Sequence, residues 1–473
     1  MSKERSRRKG WSRRDFLKVS AAAGATLLTP AGCADPPTGR QADSRTPRNV
    51  ILLTGDDLGW NDLSSSGNPN VKTPNLDRLR RGGASFSRAF DVTSTCSSSR
   101  TTYATGQYPH THGVVGLVHR LPELSLREGT PTLASHMREA GLLTAIVGKF
   151  HLAHPQTPEP YGYDEVMTTL LTQRILDSDA SVDFVERMAG RRFYFEINYM
   201  NPHRNYFGGF DVHPDHPHDP AAIVIPAYAR LPDVPRAREE LAAYYSQVER
   251  MDVMVGELVA ALEREGLLDE TLITFISDNG MPFPGNKLNL YDRGTGTPWF
   301  FHWPAGLPAG LDRNDLVSSV DLMPTLLEAV GVAIPQGVQG QSVWPLVRDR
   351  AATQERTAVF SEMTQHLPTP FPMRSARVDH FRYIRNYSDE PVPLEGAEQP
   401  WVMDVVAQRR AEFPWGVRRV PEELYDLAQD PQEQVNLAQS PQHADMLAAL
   451  RARLDAHMTA TADPFLGRPF ERI

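Results

Sequence analysis

The stretch RNVILLTGDD, residues 48–57, runs an unbroken apolar segment into two adjacent carboxylates, Asp56 and Asp57. A short apolar run bounded by turn residues, without polar alternation, predicts a strand buried on both faces, as in a parallel sheet. The pattern returns along the chain. LLTAIVGKFH (142–151) predicts a strand leading to Lys149 and His151, RFYFEINYMNPH (192–203) one leading to His203, and TLITFISDNG (271–280) one ending in Asp278 and Asn279. Helical segments fall near 75–82, after Cys96, within TPTLASHMREAG (130–141) and over roughly 237–265. Alternating strands and helices predict an α/β fold, a mostly parallel central sheet with helices on both faces. Beyond about residue 350 the texture changes. TAVFSE, FRYIRNY and EELYDLAQDPQEQVNLAQ predict short strands and turns, followed by a helix at 440–458. A main unit over 48–350 with a smaller C-terminal α+β unit over 351–473 is expected.

The N-terminus reads as an address rather than as fold. Basic SRRDFLK (12–18) precedes the 11-residue apolar run VSAAAGATLLT, and PAGC follows, ending at Cys33. That run is too short to anchor in a bilayer, and the order of segments describes an export signal over 1–33. Arg13-Arg14 with Phe16-Leu17 resembles a twin-arginine signal, which carries folded proteins outward. AGC resembles a bacterial lipobox, making Cys33 a candidate for lipidation and a membrane tether, although Pro30 stands where such boxes carry leucine. The plainer alternative is cleavage near this point and a soluble periplasmic or secreted protein. Residues 34–47, rich in Pro, Asp and Thr, read as a tether.

Residues 1–33 hold eight Lys/Arg and two Asp/Glu, leaving 41 basic against 56 acidic residues and a net charge of −15 beyond them. So acidic a body argues against nucleic-acid binding, and an anionic substrate must be captured by local positive charge in a pocket. The chain has two cysteines. With Cys33 spent on export, Cys96 has no intrachain partner and is a candidate for chemistry.

Ligands of open parallel sheets collect at the carboxyl ends of strands, where these polar motifs fall. Asp56, Asp57, Asp278 and Asn279 form an all-oxygen set suited to a hard divalent ion such as calcium or magnesium. Each motif alone is weak, since DD pairs commonly sit on solvated turns and SDNG can be a tight turn. The cluster HPDHPHD (His213, His216, His218) has zinc-like composition, but its prolines favour a solvated loop.

The segment STCSSSRTTYATG (94–106) resembles the sulfatase signature: a cysteine, any residue, proline or alanine, serine, arginine, and later Thr-Gly. Ser98 stands where that signature has proline or alanine. GDD, GKFH, NPH and SDNG occur in the sulfatase order and spacing, and the resemblance runs from about residue 48 to the end. NPHR, RMDVMVGELVAAL, SDNGMPFPGNKLNLY and FPMRSARVDHFRYI look most like the sulfamidases, which remove sulfate from the nitrogen of N-sulfoglucosamine.

The resemblance implies an alkaline-phosphatase-like fold and a Cys96 oxidised to formylglycine by a formylglycine-generating enzyme. One hydroxyl of the hydrated aldehyde attacks sulfur, and loss of a proton from the other re-forms the aldehyde as sulfate leaves. It further implies one divalent metal, calcium or magnesium, held by Asp56, Asp57, Asp278, Asn279 and the modified Cys96, acting as a Lewis acid. Arg100 would orient the diol, Lys149 and Lys287 would clamp sulfate oxygens, His151 would be the base for diol breakdown and His203 the acid for the leaving group. The sulfamidase pattern has arginine where this chain has Lys287. Arg204, Tyr291 and Arg374 are candidate sugar or sulfate contacts, and a homodimer is expected by analogy. Out of that context, a histidine after a strand reads as structural and Lys149 as a solvated strand-end lysine. Three other functions compete: an O-sulfatase, a phosphate or phosphonate ester hydrolase of the same superfamily, and a non-catalytic, tethered glycan-binding protein with Cys96 never converted. Cys96 with Arg100 and Thr105-Gly106 favours sulfate over phosphate.

Overall fold

The apolar run after Arg48 forms β1 (Asn49–Gly55), buried at every residue. The computed structural model describes residues 46–168, 178–205, 208–413 and 416–472. The predicted export signal with Cys33, and most of the predicted tether, lie outside the described residues.

β1 sits in an eight-stranded sheet with β2 (Ala84–Phe90), β3 (Leu143–Gly148), β4 (Glu165–Thr168), β5 (Phe193–Asn198), β6 (Thr271–Ser277), β7 (Trp299–His302) and β8 (Leu311–Ser318). The order is β4-β3-β5-β1-β6-β7-β2-β8. Every pairing is parallel except the two made by β7, which runs against β6 and β2. Side chains alternate between two cores, as a strand's period of two requires. Ile51, Leu53, Ile273 and Phe275 face one core with the long helix Pro235–Arg264, while Val50, Leu52, Leu272 and Ile276 face the other with the helices Leu133–Glu139 and Leu322–Ala329. Each such side chain contributes roughly 1.5–3 kcal/mol of burial, so register is fixed and the ends of β1 and β6 must meet. Thr54 pairs with Ile276 and Gly55 with Ser277.

The predicted strands at 48–57, 142–151, 192–203 and 271–280 therefore form β1, β3, β5 and β6. The sequence reading did not pick out β2, β4, β7 and β8. β7 has only four residues, and β8 (LDRNDLVS) mixes charged with apolar residues in its first half.

In the C-terminal region, β9 (Ala358–Gln365), β10 (Pro370–Val378), β11 (Phe381–Asn386) and β12 (Glu422–Asp426) form an antiparallel sheet in the order β12-β11-β10-β9. The helix Ala444–Ala460 lays Leu447, Leu450, Leu454 and Met458 against Ala376, Tyr383 and Leu424. This sheet is hydrogen-bonded to the loops above the first. Glu362 N–H donates to Val92 O at 2.7 Å and Ser361 Oγ to Asp91 O at 2.8 Å. Residues 45–473 form one compact unit. Among the described residues no helix is long and apolar enough to cross a membrane.

Candidate active site

Cys96 is the first residue of the helix Cys96–Thr105, after extended Thr95. Serine and threonine are indifferent helix formers. Here Thr101, Thr102 and Thr105 bond back to the carbonyls of Ser97, Ser98 and Thr101, which lets a hydroxyl-rich helix be buried. The helix presents Cys96, 1% exposed, to the ends of β1 and β6. Its Sγ lies 3.8 Å from Asp57 Oδ1 and 3.8 Å from Asn279 Oδ1.

Three fully buried carboxylates and three buried cations meet there. Lys149 Nζ holds both oxygens of Asp56 at 2.9 and 2.7 Å. Lys287 Nζ holds both oxygens of Asp57 at 2.8 and 2.9 Å. Arg100, one turn along from Cys96, donates from Nε to Asp278 Oδ2 at 2.8 Å and from Nη1 to Thr54 Oγ1 at 3.0 Å. Its Nη2 sits 3.5 Å from Asp56 Oδ1 and is buried without a hydrogen-bond partner. Asp57 has φ of 68°, a left-handed backbone unusual for a side-chain-bearing residue and the kind of strain that functional sites retain.

Burial raises the pKa of every carboxylate here, and the cations oppose it with different success. For Asp56 they win, Lys149 foremost, with His203 and Arg100 adding, and its pKa falls to about 2. Asp57 also falls below the usual range, chiefly through Lys287. Asp278 rises, because burial outweighs the pull of Arg100. Burial likewise pushes the Cys96 thiol well up, against the pull of Lys149 and Lys287. An unmodified Cys96 is thus a protonated thiol, a poor nucleophile.

The donor set fits a hard divalent cation. Ligand atoms of Asp56, Asp57, Cys96 and His203 all lie within 4.8 Å of one another. Calcium–oxygen distances of about 2.3–2.6 Å span roughly 4.6–5.2 Å across one coordination sphere. Asn279 Oδ1 faces the same space, while its Nδ2 donates to Asp57 Oδ1 at 2.7 Å. The two oxygens of Asp278 accept from Asp57 N–H at 3.0 Å and from Arg100 Nε.

His203 is 31% exposed at its side chain, with Nε2 3.7 Å from Asp57 Oδ2 and Nδ1 bonded to Arg204 O at 2.6 Å. His151 is 1% exposed, its Nε2 2.8 Å from His119 Nδ1 and its Nδ1 buried without a partner. Lys149 and His203 contribute to the electrostatics of His119, and Lys287 and His119 to those of His366. His366 Nδ1 bonds Thr95 Oγ1 at 2.7 Å, just before Cys96. Glu395 Oε1 lies 3.9 Å from Lys287 Nζ. Sequence reasoning missed His119, His366 and Glu395. They stand in loops without local pattern, and His366 and Glu395 come from the C-terminal region.

The three candidate sugar contacts are engaged elsewhere. Arg204 is stacked on Phe210 and Phe283, and its nitrogens bond Pro282 O and Gly208 O and pair with Glu240. Tyr291 donates to Glu423 Oε2 at 2.8 Å. Arg374 pairs with Asp463 and bonds the carbonyls of Met363 and Met373. Among the described residues, none of the three shares a hydrogen bond or ion pair with Asp56, Asp57 or Asp278. In the HPDHPHD loop, His216 and His218 each lie 3.4 Å from Glu249 Oε2.

A buried cysteine thus faces carboxylates and fixed cations at the ends of parallel strands. The chain belongs to the sulfatase family, enzymes that hydrolyse sulfuric esters or sulfamates. The family model Sulfatase matches residues 48–332, and that for N-sulphoglucosamine sulphohydrolase, C-terminal, matches 285–392. A twin-arginine translocation signal model matches residues 12–30, which supports export by that pathway. Human N-sulphoglucosamine sulphohydrolase is 31% identical over 472 residues, covering 89% of this chain and 92% of its own. An ulvan-active sulfatase of Formosa agariphila is 27% identical, covering 88% and 75%. A solved complex of an enzyme with its substrate D-glucosamine-2-N,6-O-disulfate shares the fold, with a TM-score of 0.67 at 19% identity over 89% of this chain and 99% of the other.

Proposed function

We propose that this sulfatase cleaves the N–S bond of N-sulfoglucosamine at the ends of heparan sulfate or heparin fragments. The observation that carries the reading is the relation to human N-sulphoglucosamine sulphohydrolase over nearly the full length of both chains, joined by the matching C-terminal family model.

Cys96, converted to formylglycine by a formylglycine-generating enzyme, supplies a hydrated aldehyde as nucleophile. Asp56, Asp57, Asp278, Asn279 and residue 96 would hold a divalent ion, calcium or magnesium, which would supply Lewis-acid polarisation of a sulfate oxygen. Lys149 and Lys287 hold sulfate oxygens as compact charges, and Arg100 orients the nucleophile. His203, at the mouth, protonates the departing nitrogen from Nε2, which an amine leaving group requires. His151 takes the proton that lets sulfate depart.

The division near residue 350, a periplasmic or cell-surface location, a lipid anchor at Cys33 and a homodimer belong to this proposal. Protein whose 94–106 peptide has the mass of formylglycine should release sulfate from N-sulfoglucosamine faster than from 6-O- or 2-O-sulfated glucosamine. The reverse preference would retain the sulfatase and overturn the N-sulfate assignment. A peptide carrying only unmodified cysteine in enzyme from its native host would overturn the mechanism.

A further inference from the structure

The space around His151 is unusual for a buried imidazole. Its two nitrogens are treated differently: Nε2 lies 2.8 Å from His119 Nδ1, with ring centroids 5.0 Å apart and planes 21° from parallel, while Nδ1 has no protein partner. Which nitrogen carries the proton is therefore set by His119 alone.

We propose that His119 is the positioning residue of His151, accepting the Nε2–H bond and so holding His151 in the tautomer with a bare electron pair on Nδ1. This rests on His151 being the base of the proposed reaction. The field around the pair favours the same arrangement. The charged or titratable groups acting on His151 are Lys149, His119, Arg100 and His203; those acting on His119 are Lys149, Arg120, His154 and His203, with His366 close by. All are cations or imidazoles, so an electron pair rather than an N–H is stabilised toward the site. They also keep the pair neutral: burial first, then Lys149, holds His151 well below the usual range, and the same two causes bring His119 down to about 4. A neutral base under the influence of Lys149 and Arg100 must share its new charge when it is protonated. His119 provides for that through its Nδ1 lone pair, on a half-buried ring that water can reach. The proton step balances within the pair. The nucleophile's hydroxyl O–H bond breaks, the His151 Nδ1–H bond forms, and the released electron pair completes the aldehyde C=O as the C–O bond to sulfate breaks. The imidazolium positive charge is then shared along Nε2–H···Nδ1.

The test compares His119→Phe, which keeps a stacking ring without nitrogen, with His119→Asn, whose Oδ1 can accept near the place of Nδ1. General-base contributions of about 10²–10⁴-fold set the scale. His119→Phe should lower kcat by roughly 10–100-fold with KM within about twofold and Tm near wild type, and should change the acid limb of the kcat pH profile. His119→Asn should recover most of the lost kcat. Wild-type kcat and pH profile in His119→Phe, or equal losses in both variants, would overturn the assignment. Histidine nitrogen NMR of the unsubstituted protein gives a reading independent of how the variants fold: His151 should show a protonated Nε2 and a bare Nδ1, and the opposite pattern overturns the proposal. His151→Ala separates the two levels. Retained activity there removes the base reading itself, whereas an inactive His151→Ala beside a wild-type His119→Phe removes only the role of His119.

Discussion

Two buried charge clusters in this molecule use the same residue types to different ends. In the C-terminal region Arg374 pairs with Asp463, and His110 sits between Glu362, 2.5 Å from Nδ1, and Thr461 O, 3.1 Å from Nε2. Both imidazole nitrogens face acceptors, so His110 carries both protons. Burial pulls its pKa down, but Glu362 and Asp463 hold it above the usual range. None of these four side chains has an unpartnered buried atom among the described residues. At the ends of β1 and β6 the carboxylates are also matched by cations, yet Arg100 Nη2 and His151 Nδ1 are left without partners. A cluster whose hydrogen bonds are all spent internally joins parts of the fold. One that keeps polar atoms in reserve, at the cost of buried unpaired groups, is prepared for something that arrives later.

The comparison can be broken in order of effect. Cys96→Ala removes the proposed nucleophile and little volume. Turnover should fall by a factor on the order of 10³ or more, with Tm changed by only a few degrees, measured by sulfate release and thermal unfolding. Activity retained in that variant would dissolve the distinction at its centre. Asp57→Asn should lower metal affinity by at least about 100-fold, the upper end for loss of an outer-shell partner, read by metal content after dialysis. Unchanged metal content and activity would count against the ligand set. Arg374→Met should do the converse. It takes from buried Asp463 its bidentate partner, leaving His110 at 3.7 Å, and should cost about 3 kcal/mol of stability, while kcat of the folded fraction stays at the wild-type value.

Asp252 offers a third kind of buried carboxylate, held by the N–H groups of Asn75 and Leu76 at 3.2 and 2.8 Å and by no cation among the described residues. Burial pushes its pKa up to about 6, against those hydrogen bonds. The folded protein therefore binds this proton more tightly than the unfolded chain. Its stabilising contribution is complete below about pH 4 and is lost as pH rises toward 6. Wild type should lose up to about 3 kcal/mol relative to Asp252→Asn across that window, measured by denaturant unfolding at each pH. A flat difference would remove Asp252 from the series.

These contrasts also show what was legible in the sequence. β1, β3, β5 and β6 could be read because strands buried on both faces are continuously apolar, and their polar ends named Asp56, Asp57, Lys149, Asp278 and Asn279 directly. The helix Cys96–Thr105 lacks an amphipathic pattern because it is buried nearly all round, so its place after Cys96 was legible but its burial was not. Arg204, Tyr291 and Arg374 show what the sequence could not supply. Similarity of neighbouring residues suggested ligand contact, whereas only coordinates reveal that their donors are already occupied. His119 and His366 had no readable signal, because their neighbours are brought to them by the fold and not by spacing.

One detail of the nucleophile helix reaches beyond catalysis. Ser98, in the position where the family signature has proline or alanine, is buried, and its hydroxyl has no partner among the described residues. The folded enzyme gains nothing from that oxygen. An unpaired buried hydroxyl costs about 1–3 kcal/mol, so Ser98→Ala should slightly raise Tm, and proline in a first helical turn is also tolerated. The residue is thus a nearly free parameter for the finished protein, and under the proposed mechanism it belongs to the segment that a formylglycine-generating enzyme would read. Under that proposal, the yield of converted enzyme could be tuned at this position without altering the folded architecture.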